Sequence, residues 1–271
     1  MRLHRMRRLT AAVITAIVVA GAGTVAASVA ASADTSSGLS SSVRLTVLEP
    51  APGQVITGPS LPIQVLANGY QIDARYAGTP NQPYIGHYHE ILDGNLVDMT
   101  PLRDGNRDTV PMTGVSDGWH TLTLVPANND HSMIMSAAVN IPFDYAGPYL
   151  PEPAGYTGTG MPGIAITSPA DGSAVTTGGW FTMTVNVTNF VVCGDCFGKA
   201  LVAGEGHWHI FLDQVDMAHM KVMGGGPSQE VSVKGVAPGW HTFYALLVDN
   251  HHMPIMPMTM ASVRLYVASD G

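Results

Sequence analysis

Two short His-x-His motifs are the residues of this chain best suited to chemistry. His87 and His89 form the first motif, and His207 and His209 form the second. Each pair lies in a run of residues typical of a β-strand, where alternate side chains share one face about 6–7 Å apart. Two imidazoles at that spacing can bind one ion through bonds of about 2.0–2.1 Å. The motifs therefore predict a metal site in each half of the chain.

Two further histidines accompany each motif, one in a Trp-His pair at the start of a later predicted strand and one in the loop after that strand. These residues are His120 and His131 in the first half, and His241 and His252 in the second. We expect the four histidines of each half to converge at one end of a domain. The alternative is that they pack and form hydrogen bonds, with Asp93 or Asp213 among their partners.

The chain is rich in methionine, with 15 residues of this type, and this indicates which metal to expect. Met253 and Met256 follow His252 closely, in a stretch that alternates methionine with other residues. Thioether sulfur is a soft ligand that favours Cu(I), while imidazole suits Cu(II) and Zn(II). We therefore predict copper, with zinc as the alternative, and place Met253 and Met256 near the rim of the second site. The alternative for these methionines is that they fill gaps in a core.

The motifs recur because the chain is a tandem repeat with an offset of about 120 residues. Gly118–Leu122, for example, reappears as Gly239–Phe243. This repetition predicts two domains, at residues 43–145 and 164–268. Residues 146–163 are rich in proline and glycine and are expected to form a linker.

Both repeats have the sequence pattern of β-structure. Short runs rich in β-branched and aromatic residues alternate with Pro-Gly, Asp-Gly and Gly-Gly turn signals, and no long stretch has helical periodicity. About 105 residues with this strand spacing predict an all-β fold: two tandem antiparallel β-sandwiches of the immunoglobulin (Ig) or fibronectin type. A cupin-like barrel is the alternative that the His-x-His motif suggests.

Three motifs of the second repeat support a family resemblance. They are His-x-His-x-x-x-Asp at His207–Asp213, Pro-Gly-x-His-Thr at Pro238–Thr242 and Asp-x-x-His-x-Pro at Asp249–Pro254. Together they resemble a family of small secreted bacterial Ig-like β-sandwich domains of uncharacterised function. The first repeat matches less well, because Asp117 stands in place of the proline of Pro-Gly. The resemblance implies a secreted β domain with a histidine cluster, and it supplies no activity.

The N-terminus has the features of a secretory signal. Residues 1–8 are basic, a long apolar run follows, and Ala31-Ser32-Ala33 fits the small-x-small rule for cleavage. We expect residues 1–33 to be a signal peptide and the mature chain to be secreted, with no insertion into a membrane after cleavage. The alternative is an uncleaved membrane anchor.

Charge and cysteine content narrow the functional classes further. The chain has 20 acidic against 12 basic residues, a formal net charge of −8, which argues against nucleic-acid binding and against a basic membrane-surface role. Cys193 and Cys196 are expected to form a disulfide outside the cytoplasm. A redox pair or a thiolate ligand pair remains the alternative for these two cysteines.

These observations favour a secreted copper-binding protein that stores, buffers or delivers the ion, with a metal-receiving protein as a further partner. One alternative is a structural or adhesive cell-surface module whose histidines serve only the fold. The other is a metalloenzyme, since a three-histidine site can activate water. An enzyme is the least favoured class, because the sequence contains no Ser-His-Asp pattern, His-Glu-x-x-His motif or phosphate-binding loop.

Overall fold

The computed structural model describes residues 38–39, 42–99 and 106–269. The expected signal peptide, residues 1–33, lies outside these ranges. Within them no helix is long and apolar enough to cross a membrane. The described helical segments are four 3₁₀ turns of three residues each, so the regular secondary structure of the described residues is almost entirely β-strand.

The first repeat forms two sheets. Its strands are β1 (Arg44–Glu49), β2 (Val55–Ile56), β3 (Ser60–Asn68), β4 (Gln71–Ile72), β5 (Ile85–Leu92), β6 (Asn95–Asp98), β7 (Arg107–Pro111), β8 (Gly118–Ala127) and β9 (Val139–Tyr145). One sheet has the order β1-β3-β7. The other has the order β2-β9-β8-β5-β4, and β6 pairs with β5 at its side.

The second repeat has the same topology. Its strands are β10 (Gly163–Ser168), β11 (Ala174–Thr176), β12 (Trp180–Thr188), β13 (Val191–Val192), β14 (Glu205–Leu212), β15 (Met220–Gly224), β16 (Ser228–Ser232), β17 (Gly239–Val248) and β18 (Met260–Ala268). The sheets have the orders β10-β12-β16 and β11-β18-β17-β14-β13, with β15 paired to β14. The long strands pair antiparallel: β14 pairs with β17, and β17 pairs with β18.

Each repeat is therefore a β-sandwich of two open sheets, which confirms the predicted fold class and leaves no support for a closed cupin-like barrel. The apolar side chains between the sheets form one core per repeat. Tyr88 and Leu92 of β5 point into the first core, and Trp208 and Leu212 of β14 point into the second. Because strand side chains alternate, the histidines on either side of Tyr88 and of Trp208 lie on the opposite face of each six-stranded sheet.

That opposite face is buried because the two sandwiches pack together. An apolar cluster joins Met99 of the first repeat to residues of the second, namely Phe211, Met220, Met223, Leu246 and Val248. Lys234 also forms an ion pair with Asp73 across this boundary, with 2.9 Å between Nζ and Oδ2. A sheet face that would be exposed to solvent in a single sandwich is thus buried between the two repeats. The His-x-His motifs lie on this buried face.

Cys193 and Cys196 are joined by a disulfide, as expected from the sequence. The bridge closes the 3₁₀ turn Gly194–Cys196 after β13. The equivalent turn of the first repeat, Ala74–Tyr76, is capped instead by the Asp73 carboxylate, which accepts a hydrogen bond from the backbone N–H of Arg75. The two repeats stabilise the same turn by different chemistry.

Candidate metal centre

Three imidazoles of the first repeat meet around one point, and we name them the first cluster: His87, His89 and His131. His87 Nε2 lies 3.1 Å from His89 Nε2 and 3.1 Å from His131 Nδ1, and the third side of this triangle is 3.2 Å. All three residues are buried, with exposed fractions of 0%, 3% and 6%. Such a group of nitrogens has the composition and spacing to hold a metal ion.

The second repeat has an equivalent arrangement, which we name the second cluster: His207, His209 and His252. The Nε2 atoms of His207 and His209 lie 3.0 Å apart, and His252 Nδ1 lies 3.0 and 3.2 Å from them. The same ring nitrogens face inward in both repeats. The two clusters are therefore copies of one site rather than chance contacts.

Strand pairing explains how the first two histidines of each cluster reach the same point. His87 and His89 alternate along β5, and their partners on β8 are Ala127 and Val125. The third histidine, His131, follows β8 directly in a turn where its N–H donates to the Asn128 carbonyl oxygen. His131 has a φ of 64°, a left-handed conformation that brings its ring back over the sheet.

The third histidine of each cluster is oriented by the other repeat. The Nε2–H of His131 donates to the carbonyl oxygen of Met220 at 2.8 Å. In the same way, the Nε2–H of His252 donates to the carbonyl oxygen of Leu96 at 2.8 Å. A carbonyl only accepts, so each ring carries its proton on Nε2 and turns the Nδ1 lone pair into the cluster. Hydrogen bonds of this kind, from the ring nitrogen that does not face the metal, fix the tautomer and direction of metal-binding histidines.

Burial keeps the rings neutral, the state that a metal ligand requires. Desolvation lowers the pKa of His89 to about 3 and that of His131 to about 4, with contributions from neighbouring charges. The pKa of His87 lies well below its ordinary value for the same reason, and so do those of His207 and His209. His131 contributes to the lowered pKa of His209, so charges in one cluster are felt in the other.

The spacing of the nitrogens fits three ligands on one side of a metal ion, with a fourth coordination position left open. Tetrahedral ligands at about 2.05 Å from an ion lie about 3.3 Å apart, while trigonal planar ligands lie about 3.6 Å apart. The separations of 3.0–3.2 Å are nearer to the tetrahedral value. An ion seated above the three nitrogens would therefore have a free fourth position.

The fourth histidine expected in each site lies elsewhere, which corrects the sequence-based expectation. His120 Nδ1 donates to Asp93 Oδ2 at 2.6 Å, and its Nε2 donates to the Ser116 carbonyl oxygen at 2.8 Å. His241 forms the same pair of bonds with Asp213 and the Ala237 carbonyl oxygen. Both nitrogens of each ring face oxygen acceptors, so neither ring offers a lone pair to a metal.

His120 supports a hairpin turn of the first repeat instead. Asp93 and Gly94 link β5 to β6, both with positive φ, as a tight two-residue hairpin requires. Asp93 Oδ1 also accepts a hydrogen bond from the Thr121 N–H. His120 thereby links the turn to β8. These hydrogen bonds favour the alternative interpretation of His120, in which it is a structural residue.

Met253 and Met256 are also not brought into the second cluster. Their side chains are 62% and 83% exposed, whereas His207 and His209 are buried. A different methionine, Met223, lies beside the cluster: it is the cross-strand partner of His209 on β15 and is 5% exposed. Directly paired residues point to the same face with Cβ atoms about 4.5–5.5 Å apart. Sequence reasoning passed over Met223 as a site residue because a register shift between Ile210 and Phe211 sets this pairing.

No protein-family model matches the chain, and no curated protein does either. Among solved structures, the chain is similar to fibronectin(III)-like modules of CbhA from Clostridium thermocellum, with 14% identity over 83% of this chain and 94% of that one and a TM-score of 0.27. It is also similar to the N-terminal Ig1-2 module of the Drosophila receptor protein tyrosine phosphatase DLAR, with 12% identity over 84% and 100% of the chains and a TM-score of 0.23. Structural similarity this low gives no information about function or family. The fold assignment depends on the strand order and register described above.

Proposed function

We propose that this protein binds transition-metal ions at the first and second clusters, with copper preferred and zinc as the alternative. The supporting observation is the inward convergence of three nitrogens in each repeat. In the first cluster, the Nε2–H of His131 donates a hydrogen bond to the Met220 carbonyl oxygen. The Nδ1 lone pair of His131 therefore faces the Nε2 atoms of His87 and His89. A proton between two of these nitrogens would leave the third unsatisfied. One metal ion would satisfy all three.

Coordination through Nε2 would place the ring proton of His87 and of His207 on Nδ1. Nδ1 of His87 and Nδ1 of His207 are buried with no hydrogen-bond partner among the described residues. A buried polar atom without a partner costs free energy of about 1–3 kcal/mol. Coordination at Nε2 leaves these Nδ1 atoms without a partner, so the metal–nitrogen bonds would have to outweigh that cost.

Copper is favoured by the sulfur next to the second cluster. Met223 supplies a buried thioether beside His209, and Met99, which follows β6, is buried at the same interface. Soft thioethers favour Cu(I), and imidazoles accept both Cu(I) and Cu(II). Zinc fits the same three nitrogens without using the sulfur.

Burial of the ligands suits a protein that retains an ion rather than one that turns over a bulky substrate. We therefore assign storage, buffering or delivery of the metal as the role, outside the cytoplasm, with a metal-receiving protein as the partner. The motif resemblance to secreted bacterial domains agrees with this location.

The test is the metal content and binding stoichiometry of the full mature chain, purified without a histidine tag. Elemental analysis should find copper or zinc, and anaerobic titration with Cu(I), Cu(II) and Zn(II) should saturate at two ions per chain. A chain that takes up none of these ions would contradict the proposal.

A structural cell-surface module is the second candidate, and one observation favours it. His120 and His241 have purely structural partners, which shows that histidine does serve the fold in this protein. The same titration separates the two functions, since a structural module would bind no metal with useful affinity.

A further inference from the structure

The first repeat contains a group of three carboxylates that the second repeat lacks. Glu90, Asp98 and Asp108 each offer an oxygen, and these oxygens lie within 4.8 Å of one another. Glu90 is on β5, Asp98 is its partner on β6, and Asp108 is on β7 of the facing sheet. The group therefore spans the edge of the sandwich, where the two sheets meet.

Glu90 is the unusual member of this group. It is 0% exposed, and neither of its carboxylate oxygens has a hydrogen-bond partner among the described residues. Its neighbours on the same face of β5, Tyr88 and Leu92, belong to the apolar core. A buried carboxylate in such surroundings normally has a charged or hydrogen-bonding partner.

Glu90 also lines a cavity of about 180 Å³ between the repeats. Asp98 lines the same cavity from the first repeat, and Asp195 and Phe197 line it from the second. The volume exceeds that of an ion with several waters, each of which takes about 30 Å³. Lys199 is on the lining as well, and its charge interacts with Asp93, Glu152 and Asp195.

The second repeat supplies an internal comparison. Ile210 and Val222 pair there as Glu90 and Asp98 pair in the first repeat. Gln229 pairs with Met183 as Asp108 pairs with Ile63. An ordinary sandwich core at this edge is thus built with apolar or neutral residues, so the acidic group is not required by the fold.

We propose that Glu90, Asp98 and Asp108 form a binding site for a hard divalent cation, with Ca²⁺ as the fitting ion. Carboxylate oxygens are the ligands that hard cations prefer, and Ca²⁺ takes six to eight of them at about 2.3–2.6 Å in flexible geometry. Opposite oxygens around Ca²⁺ can lie up to about 5.2 Å apart, so oxygens within 4.8 Å of one another can share one such ion. Mg²⁺ demands a near-ideal octahedron, which carboxylates on three separate strands suit less well. Water in the cavity would complete the shell.

This site is distinct from the histidine clusters and does not rest on their proposed function. Glu90 and His89 are adjacent in the chain, but alternation along β5 places them on opposite faces of the sheet. The ligand types also differ, since imidazole nitrogen favours transition metals and carboxylate oxygen favours Ca²⁺. Ca²⁺ should therefore bind whether or not the clusters hold a metal.

The test is calorimetric titration of the full chain with Ca²⁺, Mg²⁺ and Mn²⁺ after chelator treatment, with Zn²⁺ already loaded on the histidines. We expect one Ca²⁺ per chain, bound more tightly than Mg²⁺, and a melting temperature that rises with Ca²⁺ concentration. Glu90→Gln should weaken Ca²⁺ binding at least about tenfold, since loss of an outer-shell partner alone costs that much. Glu205→Gln, which alters a buried acid of the second repeat, is the control and should leave Ca²⁺ binding unchanged.

A variant that copies the second repeat guards against loss of folding. Glu90→Ile with Asp98→Val and Asp108→Gln should fold, keep Zn²⁺ binding and lose the Ca²⁺ response. Absence of Ca²⁺ binding by the unaltered chain would overturn the proposal, and so would unchanged binding in Glu90→Gln or in the triple variant.

Discussion

His131 of the first repeat donates a hydrogen bond from Nε2 to the carbonyl oxygen of Met220 in the second repeat, at 2.8 Å. The reciprocal bond runs from His252 to Leu96, also at 2.8 Å. Each candidate metal site thus takes its three ligands from one sandwich and the orientation of one ligand from the other. Docking of the two repeats and metal affinity should therefore be coupled.

Substitution of Gly78 tests that coupling. A Cβ atom on Gly78 would collide with the carbonyl oxygen of Met220, and the residue has a φ of 69°. Gly78→Ala should force the repeats apart beside His131 and weaken binding at the first cluster at least about tenfold. Titration is done in the His207→Ala, His209→Ala background, so that only the first cluster is measured.

Gly94 supplies the matched control for backbone strain. It has a φ of 88°, but a Cβ atom there would meet nothing within 4 Å. Gly94→Ala should cost about 1–2 kcal/mol of stability and leave metal affinity unchanged. Equal loss of affinity in both variants would show that strain, rather than the contact between repeats, is responsible.

Replacement of His120 should separate stability from metal binding. His120→Ala removes the bond to Asp93 and the bond to the Ser116 carbonyl oxygen, and we expect a loss of about 1–3 kcal/mol in the free energy of unfolding. Binding of Zn²⁺ should stay within about twofold of the unaltered chain, because His120 contributes no lone pair. Chemical denaturation and calorimetry on the same sample measure both quantities, and loss of one bound ion would restore His120 as a ligand.

Replacement of Met223 should lower the affinity for Cu(I), and replacement of the exposed methionines should not. Met223→Leu keeps the apolar volume at the interface and removes the thioether beside His209, so Cu(I) affinity at the second cluster should fall while Zn²⁺ affinity remains. The paired control, Met253→Leu with Met256→Leu, alters side chains that are 62% and 83% exposed and should change neither. Competition titrations with a Cu(I) chelator give these affinities. A larger effect from the exposed pair would return Met253 and Met256 to the site.

The stability of the metal-free protein should fall as the solution is acidified below about pH 6.5. An imidazole in the unfolded chain has a pKa of about 6.5, whereas burial lowers that of His89 to about 3 and that of His131 to about 4. Between these values the unfolded state binds more protons, so each ring removes up to about 1.4 kcal/mol of stability per pH unit. Urea unfolding at pH 7 and pH 5 measures the slope.

The same pKa values determine how metal affinity depends on pH. Protons compete for the folded ligands only well below pH 6.5, so affinity should stay nearly constant from pH 7 to pH 5.5 while the fold is intact. His89→Gln removes one titrating ring and should flatten the stability slope. A slope that is absent in the unaltered chain would mean that the rings are not buried neutral.

The sequence was sufficient to predict the His-x-His pairs because strand alternation is a local rule. His87 and His89 share a face in the structure as that rule requires. The two-sandwich fold followed from strand spacing and from the repeat. Asp93 lies 27 residues before His120 and Asp213 lies 28 residues before His241, and that nearly equal spacing was a usable signal for the structural role of the two histidines.

Other features depend on contacts that no local pattern reveals. The carbonyl oxygens of Met220 and Leu96 orient the third ligands, and a backbone oxygen has no sequence signature. Met223 lies beside His209 only because a bulge shifts the register of β14 against β15. Burial of both clusters follows from docking of the repeats, and contact between two predicted domains has no local sequence signature.

The most direct measurement of the central proposal is the number of Cu(I) and Zn²⁺ ions bound by four versions of the full chain under anaerobic conditions. The unaltered chain should bind two ions, and His87→Ala with His89→Ala should bind one, as should His207→Ala with His209→Ala. The variant with all four changes should bind none, while circular dichroism confirms that its β-structure persists. Two ions bound by the fourfold variant, or none bound by the unaltered chain, would contradict the assignment of these histidines as metal ligands.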